Sequence, residues 1–182
     1  MINLIILALV IAIIVFVIAT YNAFIRLKNQ CDNAWSDVDV QLKRRYDLIP
    51  NLVSTVKGYA SHEREVFENV TKARAEATTA KTPAEQSKAE NMLTGALRQL
   101  FAVAENYPEL KANTNFLDLQ KNLSEIEDDI QNARRYYNAV IRDNNIKVES
   151  FPSNVIANIF NFKKREFFEL EEGERAVPKV EF

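Results

Sequence analysis

Twenty-four consecutive residues, Ile2 to Ile25, carry no charge, and Leu4 to Ala19 are apolar without a break. As a helix this run is about 36 Å long at about 1.5 Å per residue. A bilayer's hydrocarbon core is about 30 Å thick, so the run is long enough to cross it with some tilt. Everything from Arg26 onward is polar enough for an aqueous domain. The expectation is therefore a membrane anchor over 1–25, a helical domain over 26–165 and an acidic tail over 166–182.

A cleaved signal peptide is the competing reading. It needs a basic segment before the apolar core and a small-residue cleavage site after it. No Lys or Arg precedes this run, and Ala19-Thr20-Tyr21-Asn22-Ala23 is a poor cleavage site. An uncleaved anchor is the better match. Arg26 and Lys28, then Lys43, Arg44 and Arg45, follow the run, while only the α-amino group precedes it. That bias predicts an N-terminus outside and a helical domain in the cytoplasm. The single cysteine, Cys31, rules out an intramolecular disulfide.

Three glycines in 182 residues argue against a turn-rich strand fold. The pattern after the anchor is instead helical. Trp35, Leu42, Ile49, Val56, Glu63, Val70 and Ala77 form one heptad set; Val38, Arg45, Leu52, Tyr59, Val66, Ala73 and Ala80 form its companion. Twelve of the fourteen positions are apolar or aromatic, which predicts a long helix packed along its length. Pro50 lies inside this seam and should kink the helix without ending it, crowding the carbonyl of Tyr46. Thr82, Pro83 and Glu85 read as a capping box opening a second helix. Its apolar face is Ala89, Met92, Leu93, Ala96, Leu97, Leu100 and Ala104, and Tyr107-Pro108 ends it.

A third helix carries Phe116, Leu119, Leu123, Ile126, Ile130, Ala133, Tyr137 and Val140, with its register failing near Asn144 and Lys147. Ser150-Phe151-Pro152 ends it, and a short apolar helix follows. The fold expected is all-α: one transmembrane helix, then an elongated antiparallel bundle of three long helices and a short C-terminal one. A first helix longer than its partners would leave part of its seam uncovered, favouring self-association.

Asn29-Gln30, Trp35, the run Val38-Asp39-Val40-Gln41-Leu42-Lys43-Arg44-Arg45, Asp47-Leu48-Ile49-Pro50-Asn51-Leu52-Val53 and Val56-Lys57-Gly58-Tyr59 together resemble the LemA family of bacterial membrane proteins. Ala104-Glu105-Asn106-Tyr107-Pro108-Glu109-Leu110-Lys111-Ala112-Asn113, Ala133-Arg134-Arg135-Tyr136-Tyr137-Asn138 and Ser150-Phe151-Pro152-Ser153-Asn154 extend the resemblance over nearly the whole chain. The resemblance implies one transmembrane helix, an all-helical bundle and an envelope or stress-linked role beside other envelope proteins, membrane metalloproteases among them. It implies no established activity. Two positions depart from the family pattern: Asn161 stands where a glycine is expected, and Asn144 where an aromatic is expected.

No residue set points to catalysis. His62-Glu63 opens like a zinc-protease motif, but Val66 occupies the second histidine's place and no other histidine exists. Cys31 and His62 would lie about 45 Å apart along one helix, too far to act as nucleophile and base. Asp128-Asp129 and Glu171-Glu172 diverge on a helix and read as solvated faces. We expect no enzyme activity, no metal, no cofactor and no nucleic-acid partner; the expected partners are membrane lipid, further copies of the chain and an envelope protein. Arg44, Arg45, Asp47 and Tyr59 are candidate interface residues, although an arginine on the seam better suits a salt bridge to a carboxylate of a neighbouring helix. Phe160, Phe162, Lys163, Lys164 and Arg165 are candidates for contact with a membrane surface, or for capping the core with a basic rim.

Overall fold

A computed structural model of the chain describes residues 1–168. The described residues form six α-helices and no strand: α1 Ile2–Lys57, α2 Arg64–Thr79, α3 Pro83–Ala104, α4 Pro108–Lys111, α5 Thr114–Glu149 and α6 Ser153–Ile159. The fold is all-α, as expected. The acidic-tail reading over 166–182 lies, beyond Phe168, outside the described residues.

Helix α1 leaves the apolar run without interruption and passes through Pro50 to Lys57. It is the one helix among the described residues long and apolar enough to cross a membrane, with a mean hydropathy of 3.3 in its most apolar window. The seam does not stay on one helix as far as Ala80. It breaks at Gly58 and resumes in α2. Residues 58–63 are held by turn-like bonds from Tyr59 and Ala60 N–H to the Val56 carbonyl, and from Glu63 N–H to the Ala60 carbonyl. The apolar pattern crosses this break with a one-residue shift, Ala60 being fully buried where the seam residue Tyr59 is 39% exposed. His62, expected on the first helix, is an exposed residue of this connection.

Helix α3 begins as expected. Thr82 Oγ1 accepts from Glu85 N–H, and the Glu85 carboxylate accepts from Thr82 N–H. Tyr107 is the N-cap residue of the short α4, with Pro108 at its first position.

Residue contacts divide the chain into two compact units. Unit 1 comprises 1–37 and 135–167; unit 2 comprises 38–134 with Phe168.

In unit 1, α6 packs Ile156 and Ala157 on Phe24, with Val17, Val148 and Phe162 around them. Asn161 ends α6 at a φ of 58°, a left-handed conformation that asparagine tolerates better than other non-glycine residues. Phe162 N–H then reaches the Ala157 carbonyl, and Asn161 N–H the Asn158 carbonyl. This is a Schellman closure, and it delivers Phe162 onto Phe24 with ring centroids 4.7 Å apart. It explains why a glycine suits this position.

The register failure near Asn144 also has a cause. Asn145 Nδ2 donates to the Arg165 carbonyl, and Asn145 Oδ1 accepts from Arg165 N–H, each at 2.9 Å. Asn144, buried, donates toward the Lys163 carbonyl, and Tyr137 Oη donates to the Glu166 carbonyl. These polar side chains bind the backbone of the segment after α6, so an apolar residue there would leave its amides unpaired. Burial pushes the Tyr137 hydroxyl up to about 12. Cys31 is buried in the same unit, its Sγ 4.0 Å from the Val140 carbonyl. Burial raises its pKa, so it stays a protonated, unreactive thiol.

Candidate functional site: a buried arginine–glutamate–tyrosine network

Unit 2 holds a charged cluster that is buried at Arg45 and Glu90 and reaches, at Glu127, an open cleft of about 450 Å³ lined also by Arg98, Phe101 and Gln131. The cluster's centre is Glu90 on α3, which has no exposed surface. The heptad spacing Gln86, Glu90, Leu93, Leu97, Leu100 puts two polar side chains on the packed face of α3. Arg45 occupies a seam position of α1 and is 1% exposed. A buried charge is tolerated only with a partner, and these two are partners.

Arg45 Nη1 donates to Glu90 Oε2 at 2.9 Å, and Nη2 to Thr94 Oγ1 at 2.9 Å. Arg45 Nε lies 3.0 Å from Glu127 Oε1 on α5, an ion pair without hydrogen-bond alignment. The other Glu90 oxygen accepts from the Tyr46 hydroxyl and from Gln86 Nε2. Gln86 also donates to Tyr46 Oη at 2.7 Å and to the Ala77 carbonyl, the latter fastening the end of α2 to α3. Arg134 on α5 brings Nη2 within 3.7 Å of Glu90 and lays its guanidinium over the Phe168 ring at 4.4 Å. Two arginines face two glutamates, so the cluster is neutral overall and joins α1, α3 and α5.

Pro50 adds a further tie. With no N–H, it cannot bond the Tyr46 carbonyl one turn back. Arg74 Nε of α2 donates to that carbonyl at 2.7 Å instead. The proline that perturbs α1 thus creates the acceptor that docks α2.

Burial drives the Tyr46 hydroxyl well above its usual range, and the Glu90 carboxylate beside it pushes the same way. Tyr46 therefore stays neutral, donating to Glu90 and accepting from Gln86. Burial also raises Glu127, with Arg45 and then Arg134 partly opposing the shift. The sign of the consequence follows. A carboxyl whose folded pKa lies above the unfolded one favours the fold when protonated, and that contribution disappears as pH rises through the folded value. Relative to Glu127→Gln, the natural chain should gain stability as pH falls from neutrality toward about 4.5. Thermal unfolding followed by circular dichroism at several pH values measures this. A natural chain that instead loses ground to the variant on acidification would show that the arginines outweigh burial.

The predicted interface residues separate. Arg45 leaves that set, because its guanidinium is directed into the core rather than toward a partner. Arg44 is exposed and pairs with Asp129 at 3.1 Å. Asp47 is exposed and pairs with Lys43 at 3.0 Å. Tyr59 is 39% exposed, and its hydroxyl accepts from Asn113 Nδ2. Glu90 and Glu127 were missed as partners of Arg45, and Arg134 as a second cation beside Glu90. The available signal was that Gln86 and Glu90 interrupt an apolar heptad, as Arg45 does on the other helix.

The membrane-surface candidates, all in unit 1, also separate. Phe162 is stacked on Phe24, and Arg165 pairs with Asp32 at 2.6 Å, so both serve packing rather than outward contact. Lys164 pairs with Glu149 at 2.6 Å. Lys163 is exposed, and Phe160 meets Tyr21 edge-on while remaining 46% exposed.

A family model described as the LemA family matches residues 34–182. The chain belongs to the LemA family. Similar proteins include protein LemA of Metamycoplasma hominis, 28% identical over 158 residues, spanning 85% of this chain and 71% of that protein. Magnetosome protein MamQ 2 of Paramagnetospirillum magneticum is 27% identical over 186 residues, spanning 88% of this chain and 68% of that protein. Magnetosome protein MamQ of Magnetospirillum gryphiswaldense is 25% identical over 184 residues, with 87% and 68% spanned. The match takes in Arg45, Glu90, Glu127 and Arg134, so the buried network lies within the LemA portion of the chain. Family membership and the one long apolar helix mark it as a membrane-associated protein.

Proposed function

We propose that this LemA-family chain is a non-enzymatic, membrane-anchored helical scaffold of the bacterial cell envelope that self-assembles and organises membrane or envelope proteins. The observation that carries the reading is α1 itself. One uninterrupted helix contains both the apolar anchor and the seam on which α2 and α3 pack. The buried network supports the same view. Its arginines and glutamates oppose one another across α1, α3 and α5, the arrangement of a brace between helices. The anchor would run N-terminus outward, with the helical units in the cytoplasm, since Arg26 and Lys28 follow the apolar run.

The seam is not the surface through which copies would meet. Leu42, Ile49, Leu52, Val56, Val70 and Ala77 are all buried within unit 2. Self-assembly would instead use apolar positions left outside, such as Val40, Met92 and Leu117, with Arg44 and Asp47 nearby in the sequence of α1. Light scattering on the detergent-extracted full chain tests this. We expect a species well above monomer mass; a sharp monomer at micromolar concentration refutes self-assembly.

A second reading is a monomeric adaptor that recruits another membrane protein, such as an envelope protease. An open cleft of about 760 Å³ between the end of α1 and α2 favours it, with Phe67 on its floor and Lys57 and Lys72 on its rim. Cross-linking in cells then yields a dominant heterologous adduct, whereas the scaffold reading yields adducts between copies.

A further inference from the structure

From Ser150 to Phe162 no residue carries a charge, and the stretch sits within unit 1 against the anchor itself. Its inner face is accounted for: Ile156 and Ala157 pack on Phe24, and Val17 lies beside them. Its outer face is apolar too. Val155 is 47% exposed and Ile159 67%, four residues apart on one face of α6, and the half-exposed Phe160 follows them; Phe151, 83% exposed, precedes the helix. Large apolar side chains clustered outward in this way mark an interaction surface. Lys147 and Glu149 precede the stretch and Lys163 and Lys164 follow it, Lys164 being paired with Glu149 and Lys163 exposed.

The position of the face identifies its occupant. Val17, Tyr21 and Phe24, which touch α6 and the residues following it, all belong to the charge-free run of α1. A face beside that run occupies the level where α1 leaves the bilayer. Apolar and aromatic side chains with lysines at their margin suit the headgroup–acyl boundary, especially over anionic lipid.

We infer that Phe151, Val155, Ile159 and Phe160 form a docking surface for an anionic lipid bilayer, a collar that rests in the membrane interface beside the anchor. This inference depends on α1 being a membrane anchor. It also replaces Phe162 and Arg165 in the sequence-based set with Phe151, Val155 and Ile159. The collar shields one side of α1 from Val17 to Phe24, so lipid contacts this part of the helix only on its other sides.

Tryptophan scanning of the full chain tests the collar. In a Trp35→Phe background, Phe151→Trp and Ile159→Trp are reconstituted separately into phosphatidylcholine–phosphatidylglycerol vesicles, with and without brominated acyl chains. Leu9→Trp reports the anchor, Val40→Trp reports an aqueous position, and circular dichroism verifies that each variant is folded. We expect Phe151→Trp and Ile159→Trp to lose most of their emission to the brominated lipid, as Leu9→Trp does, while Val40→Trp keeps its emission. Quenching at Leu9→Trp alone overturns the collar and leaves the anchor standing. No quenching at any position removes the anchor and the collar with it. Emission from the collar positions that is unquenched but varies with protein density means that another copy covers the face, which also overturns the inference.

Discussion

Replacing Glu90 by alanine is expected to destabilise the fold by about 3–5 kcal/mol, the cost of breaking a buried ion pair from one side. Arg45 would keep its charge at 1% exposure with only the Glu127 carboxylate and the Thr94 hydroxyl for company. Tyr46 and Gln86 would each lose an acceptor in the same step. Chemical unfolding followed by circular dichroism reads the loss. The double variant Arg45→Met, Glu90→Leu should regain most of it, because exchanging both charges for apolar groups removes the desolvation along with the attraction. Equal damage in the single and double variants would mean that the network contributes shape rather than charge balance.

The second large effect is expected at Leu52, which is 2% exposed on the seam of α1. Leu52→Ala should cost about 2–5 kcal/mol, depending on how far the surrounding helices relax into the cavity. An unchanged unfolding midpoint would show that α1 packs through a different face. The two variants probe different physics in one unit: Leu52 measures apolar packing, and Glu90 measures the penalty of an orphaned charge.

What could be read from the sequence was whatever depends on near neighbours. The capping box needs only Thr82, Pro83 and Glu85. The buried faces of α3 and α5 follow from heptad spacing, although Met92 stays outside at 46% exposure. Pro50 pointed to the Tyr46 carbonyl, because the effect of a proline falls one turn back. That Arg74 would supply the replacement donor depends on how α2 folds back, which local sequence does not encode.

The break at residues 58–63 was hidden for a related reason. Its turns carry the apolar pattern across, and Ala60, fully buried, takes the place of the seam residue Tyr59 where the helix has already ended. The partner of Arg45 was half visible. A charged residue on an apolar seam demands a counter-charge on another, and Glu90 is the acid on the packed face of α3. The choice of Glu90 over other acids rests on the relative placement of helices that are distant in sequence.

Trp35 is the chain's sole indole and meets Tyr137 of the same unit at a tilt, with ring centroids 5.3 Å apart. Its fluorescence therefore reports on packing in unit 1, whereas Glu90 belongs to unit 2. Heating the Glu90→Ala variant while recording both emission and ellipticity will reveal whether the two halves melt as one cooperative body or let go in turn.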